Sequence, residues 1–215
     1  MNGSLPVLLF DLDGTLSDNY EGISRSIRYA LERLGAPNPD ESTLRACVGP
    51  PLRESLARLL PSPDATAIEA ALAAYRERFH DVGWRENLLY EGVPEALAAL
   101  AESGARMYVC TTKPEVFATR IVAHFGLDAF VTRVYGADLA GALDDKRALL
   151  AHLLATESLD PAGAIMIGDR HLDVRAAQAN GTRAVGVLWG YGSAAELEGA
   201  ERLLTAPPEF VTLLD

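Results

Sequence analysis

Apolar residues recur along this chain in two different rhythms. Val7-Leu8-Leu9-Phe10 is an unbroken apolar run ending at Asp11, the pattern of a strand buried on both faces in a parallel sheet. The rhythm then turns helical. Ile23, Ile27, Ala30, Leu31 and Leu34 recur at helical spacing, with Gly35 as a stop. Asp40 is placed to cap a second helix running through Val48, which Gly49-Pro50-Pro51 breaks. Leu52 to Leu60 and Asp64 to about Val82 complete a stretch that carries helices and no convincing strand.

Beyond Trp84 the two rhythms alternate. A helix opens at Gly92-Val93-Pro94, and a strand, Met107 to Cys110, ends at Thr111. Helices over Pro114–His124, Asp145–Ala155 and Leu172–Ala179 are interleaved with strands at Val131–Tyr135, Ala164–Ile167 and Arg183–Leu188. Such alternation predicts an α/β fold, a doubly wound parallel sheet built with right-handed crossovers. Residues 1–16 and 88–215 form its core, and residues 17–87 form a helical domain inserted after the first strand.

Composition narrows the function. Hydrophobic residues make up 49% and charged residues 23%, ordinary for a globular protein, and no apolar run approaches a membrane span. Met1 to Phe10 lacks the basic region of a secretory leader, so a cytoplasmic location is expected. The net charge of −11 argues against nucleic acid or an anionic membrane as partner. Cys47 and Cys110 are far apart and read as small core residues, not as a disulfide or a zinc site.

The chemistry collects behind the strands. The first strand runs into Asp11-Leu12-Asp13-Gly14-Thr15, the second into Thr111-Thr112-Lys113, and a later one into Gly168-Asp169-Arg170 with Asp173 four residues beyond Asp169. Lys146 opens an intervening helix. In a parallel sheet all of these reach one edge, where open α/β sheets bind their ligands. Carboxylates crowded there repel one another unless a cation sits among them, and Mg²⁺ suits so few hard oxygen donors.

These motifs resemble those of the haloacid dehalogenase superfamily of hydrolases: DLDGTL at 11–16, Thr111, Lys146 and GDRHLD at 168–173. The helical insertion resembles the small cap of its phosphoglycolate-phosphatase-like branch, on a Rossmann-like core. The resemblance implies a phosphomonoesterase with Asp11 as the nucleophile that becomes phosphorylated. Asp13 would protonate the leaving oxygen and then activate water, and its main-chain carbonyl would join Asp11, Asp169 and Asp173 around Mg²⁺. Thr111, with Thr112 beside it, would grip the phosphate oxygens, Lys146 would neutralise phosphate and nucleophile, and Gly14 would let its amide approach the phosphate. Dehalogenases of this superfamily lack an acid two residues past the nucleophile, so Asp13 speaks against carbon–halogen cleavage.

Substrate choice should lie in the cap, where Arg53 or Arg45 is placed to meet a distal anion. Asn87, Tyr90 and Glu91 mark the expected hinge, with Tyr90, Trp84 and Trp189 read as packing residues and His171 as a helix-start surface residue. VGPPL (48–52), ENLLYEG (86–92) and GVLWGYG (186–192) resemble a bacterial subgroup described as phosphoglycolate phosphatases and 5′-nucleotidases. The expected substrate is a small phosphate ester: phosphoglycolate, then a 5′-nucleotide, then a sugar phosphate. A phosphomutase of the same superfamily, or a non-catalytic phosphate-binding protein, remains an alternative.

Overall fold

The computed structural model describes residues 5–214. Residues 1–4, within the segment read above as lacking a leader's basic region, lie outside it. The chain divides into two compact units, Met1–Ser17 with Leu89–Asp215, and Asp18–Leu88. No helix among the described residues is long and apolar enough to cross a membrane.

The first unit is built on a six-stranded parallel sheet. Its strands are β1 (Val7–Phe10), β4 (Met107–Pro114), β5 (Arg133–Ala137), β6 (Ala164–Gly168), β7 (Arg183–Val187) and β8 (Arg202–Leu204), in the order β5-β4-β1-β6-β7-β8. β1 lies between β4 and β6, so all four of its side chains are buried. Val7 and Leu9 face a core shared with Tyr108, Met166, Leu149, Leu153 and Val174. Leu8 and Phe10 alternate to the opposite face, where the Phe10 ring meets Phe210 edge-on at 5.0 Å. The flanking helices are α5 (Val93–Glu102), α6 (Glu115–His124), α7 (Lys146–Thr156) and α8 (His171–Asn180).

The second unit holds α1 (Tyr20–Arg33), α2 (Glu41–Arg45), α3 (Leu52–Leu59) and α4 (Ala65–Asp81). α1 packs along α4, burying Ile23, Ile27 and Leu31 together with Leu72, Tyr75 and Phe79. Asp40 and Asp64 cap α2 and α4 by accepting hydrogen bonds from the Thr43 and Ala67 amides at 2.7 and 2.8 Å. Two short strands, β2 (Ser17–Asp18) and β3 (Leu88–Leu89), pair where the chain leaves and re-enters the sheet unit.

Several elements differ from the sequence reading, among them the two-residue strands β2 and β3, which it does not predict. α2 ends at Arg45, because the Cys47 and Val48 amides turn to carbonyls three residues back ahead of Pro50-Pro51. The third predicted strand starts at Arg133 instead of Val131, whose amide is taken by the Leu127 carbonyl in the preceding turn. β4 runs on to Pro114 through an irregularity after Thr111. β8 was not expected: three residues behind a string of turns are too short to show a period.

Leu9 is fully buried at the centre of the sheet. Leu9→Ala is expected to destabilise the protein by about 2–5 kcal/mol, read from urea unfolding followed by circular dichroism.

Candidate active site

The strand register decides what meets at the sheet edge. Phe10 lies level with Val109 on one side and Ile167 on the other. The next residues, Asp11, Cys110-Thr111 and Gly168-Asp169, therefore emerge together. The Asp11 amide donates to the Ile167 carbonyl at 2.8 Å, which carries the ladder one residue past β1. The chain then turns sharply: the Leu12 carbonyl accepts from the amides of Leu16 and Ser17, both at 3.0 Å. Gly14 sits in this turn at φ +88°, and a Cβ there would lie 2.3 Å from Asp169 Oδ2. Gly190 presses on the same carboxylate, with room for no side chain: its Cβ would come within 2.4 Å of Asp169 Cβ.

Asp11, Asp169 and Asp173 are all buried, and one carboxylate oxygen from each lies within 4.8 Å of the others. Lys146, the first residue of α7, reaches Asp11 Oδ1 at 2.8 Å and Asp173 Oδ1 at 2.6 Å. Asp145 fixes that helix start by capping the Arg147 and Ala148 amides at 2.8 and 3.4 Å. Asp173 Oδ2 accepts from the Arg170 amide at 3.0 Å, and Asp169 Oδ2 from the Tyr191 amide at 2.7 Å. Asp169 Oδ1 is buried with no hydrogen-bond partner.

The cluster is short of positive charge. Burial, with Asp173 and Asp11 adding to it, pushes the Asp169 carboxyl up to about 8. Burial also raises Asp173, to about 6, against the pull of Lys146. Burial disfavours the Lys146 charge too, but Asp11 and Asp173 outweigh it and hold that ammonium above its ordinary value. Three converging carboxylates and an unpartnered buried oxygen are a fit for a hard divalent cation, which would relieve the repulsion that Lys146 leaves.

Asp13 faces a different partner. Its side chain is outside the three-acid cluster, and Oδ2 meets Lys113 Nζ at 2.5 Å, both groups buried. Lys113 is a candidate site residue to which the sequence analysis gives no role, although it stands two positions after Thr111 at the same strand end. Thr111 is buried and its hydroxyl accepts from the Lys113 amide at 3.3 Å, while Thr112 is partly buried. The Tyr191 amide and Gly190 were also missed, since a loop following the last predicted strand gives no sign that it folds onto Asp169.

The remaining residues fall as follows. Arg53 lies on α3 in the helical unit and pairs with Glu69; Arg45 lies over the Tyr20 ring at 4.7 Å. Asn87 is buried, and Glu91 is exposed. Tyr90 packs edge-on against Trp189 at 6.5 Å, and the Trp189 indole donates to the Thr15 carbonyl at 3.0 Å. His171 opens α8. Cys110 is fully buried, and burial pushes its thiol up to about 12, so it is a packing residue and not a nucleophile.

Comparison with known proteins gives the family of the chain. The family model for haloacid dehalogenase-like hydrolases matches residues 8–187, and the chain belongs to that family. A 5′-nucleotidase of Pseudomonas aeruginosa is 44% identical over 192 residues, covering 89% of this chain and 86% of the relative. Tyrosine-protein kinase PtkA of Mycobacterium tuberculosis is 40% identical over 188 residues, or 87% of this chain, which spans 64% of that relative's length. A phosphoglycolate phosphatase of Pectobacterium atrosepticum is 30% identical over 96% of this chain and 91% of its own. The crystal structure of a predicted phosphatase from Clostridium acetobutylicum superposes with a TM-score of 0.93 at 34% identity, covering 99% of both chains. Within its family, the chain falls among the phosphomonoester hydrolases.

Lys146→Met removes the ammonium shared by two buried carboxylates. It is expected to cost about 3–5 kcal/mol of stability in EDTA, measured by chemical unfolding beside the wild type.

Proposed function

We propose that this chain hydrolyses 5′-nucleotides or similarly small phosphomonoesters with Mg²⁺, through a phosphorylated Asp11. The observation that carries the reading is the separation of two acids from one turn. Asp11 faces Lys146 and the carboxylate cluster, while Asp13, two residues on, is held apart by Lys113. Phosphoryl transfer needs that division, with a nucleophile among balancing charges and an acid–base group outside them.

Asp11 forms a bond to phosphorus as the ester P–O bond breaks, and Asp13 gives its proton to the departing oxygen. Asp13 then takes a proton from water, which attacks the same phosphorus and frees Asp11 and inorganic phosphate. Lys146 offsets charge on the nucleophile and the transferring group. Thr111, Thr112 and the Gly14 amide bind the phosphoryl oxygens. Asp11, Asp169, Asp173 and the Asp13 carbonyl would hold Mg²⁺, which supplies charge neutralisation and Lewis acidity. Arg53 in the helical unit is the candidate for a substrate's distal anion.

The 44% identity to a 5′-nucleotidase supports nucleotides ahead of phosphoglycolate, reversing the order taken from the sequence. The PtkA relatives favour a second reading, in which a tyrosine hydroxyl replaces water as the acceptor.

Phosphate release from a panel of phosphorylated metabolites, in Mg²⁺ and in EDTA, tests the proposal. Release is expected to require the metal, to rank nucleoside monophosphates above phosphoglycolate, and to fall at least about a thousandfold in Asp11→Asn. Release that survives either change sinks the mechanism. Transfer of label from ATP to protein tyrosine without phosphate release supports the kinase reading.

A further inference from the structure

The chain has 19 lysines and arginines, and two of them are lysine: Lys113 and Lys146. Both are buried, at 8% and 4% exposure, and each pairs with one aspartate of the 11–13 motif. The other 17 of these basic residues are arginine. Lysine is thus confined to two places where a compact ammonium meets a carboxylate, and where a planar guanidinium fork would need a wider, bidentate opening.

The backbone is shaped to deliver Lys113. β4 is regular through Thr111, which pairs with Gly136 of β5, and the register then shifts so that Pro114 pairs with Ala137. That irregularity, of the kind that re-aims side chains at sheet ends, contains Lys113. It brings the Lys113 carbonyl so near Gly136 that a Cβ on Gly136 would lie 2.6 Å from it, and 2.7 Å from the Glu115 backbone. The Thr111 hydroxyl receives the Lys113 amide at 3.3 Å. A bulge, a glycine and a hydroxyl all bear on the backbone of one residue, whose ammonium ends on Asp13 Oδ2.

We infer that Lys113 is a positioning residue that fixes the Asp13 carboxyl group, which gives up its proton in this step, toward the leaving oxygen. The inference rests on the phosphatase reading above. Asp13 leaves a sharp turn close to other carboxylates, and a partner on its own side holds it in one orientation. The need is greatest for alkyl esters, whose leaving oxygen must gain a proton as the P–O bond breaks. An aryl ester with a stable phenolate departs without one and is insensitive to where Asp13 points.

Single-turnover release of the leaving group isolates this step from the later attack by water. Adenosine from AMP and p-nitrophenol from p-nitrophenyl phosphate would be followed in Mg²⁺ for wild type, Lys113→Met, Lys113→Arg, Gly136→Ala and Asp13→Asn. Lys113→Met is expected to slow adenosine release by about 10²–10⁴-fold and p-nitrophenol release by less than about tenfold. Lys113→Arg should recover part of the loss. Gly136→Ala, which moves the Lys113 backbone and leaves its side chain intact, should show the same selectivity, and it keeps the test decisive if Lys113→Met does not fold. Equal losses on the two esters, or none on AMP, in a series where Asp13→Asn is selective, overturn the role of Lys113 alone. A wild type inactive on both esters overturns the phosphatase reading and this inference with it, whereas an Asp13→Asn variant that loses both equally beside an active wild type overturns the acid role of Asp13 and the inference alone.

Discussion

Repulsion between carboxylates out of water is the constraint to which the rest of this structure answers. The parallel sheet brings the ends of β1 and β6 side by side, and with them Asp11, Asp169 and the nearby Asp173. Few arrangements are less favourable in a buried setting. The elements around the cluster each carry a counterweight. α7 starts where its first residue, Lys146, reaches two of the acids, the Arg170 and Tyr191 amides turn toward two of them, and Lys113 draws Asp13 aside. The apolar core beneath, with β1 buried on both faces, keeps the strand ends from relaxing apart.

The same constraint divides labour between chemically identical side chains. Asp11 and Asp13 are two residues apart on one turn, yet their surroundings share little. One stands among like charges with a single ammonium between them; the other meets a separate ammonium at close range. The glycines are part of this. Gly14 and Gly190 pack against Asp169 so closely that neither has room for a side chain, which confines that carboxylate. Stability is given up there for a fixed arrangement of charge, as P–O chemistry requires of a site that must meet a dianion.

Much of the fold was legible in the sequence, because its signals are strong and local. Val7 to Phe10 cannot read as anything but a buried strand, and Asp64 announces α4 through its cap. The acids were legible as well, since each follows directly on an apolar run. Legibility failed where structure arises from geometry with no period to betray it. β8 is three residues long, and the bulge in β4 looks like ordinary strand followed by Pro114. Lys113 follows Thr111 in the sequence without signalling a role, since a lysine at a strand end is ordinarily solvated; its burial reveals otherwise. The contact of Gly190 and the Tyr191 amide with Asp169 spans about twenty residues of chain and depends on a loop whose path no pattern encodes.

The bond from the Trp189 indole to the Thr15 carbonyl has a consequence for observing the molecule. The chain has two tryptophans, one in each compact unit. Trp189 is tied to the turn that carries both motif aspartates, and Trp84 is buried in the helical unit. Each unit thus carries its own indole, and the one in the sheet unit is wired to the turn that holds Asp11 and Asp13. Emission from Trp189, with Trp84 replaced by phenylalanine, becomes an intrinsic optical gauge of that turn, free of any attached dye.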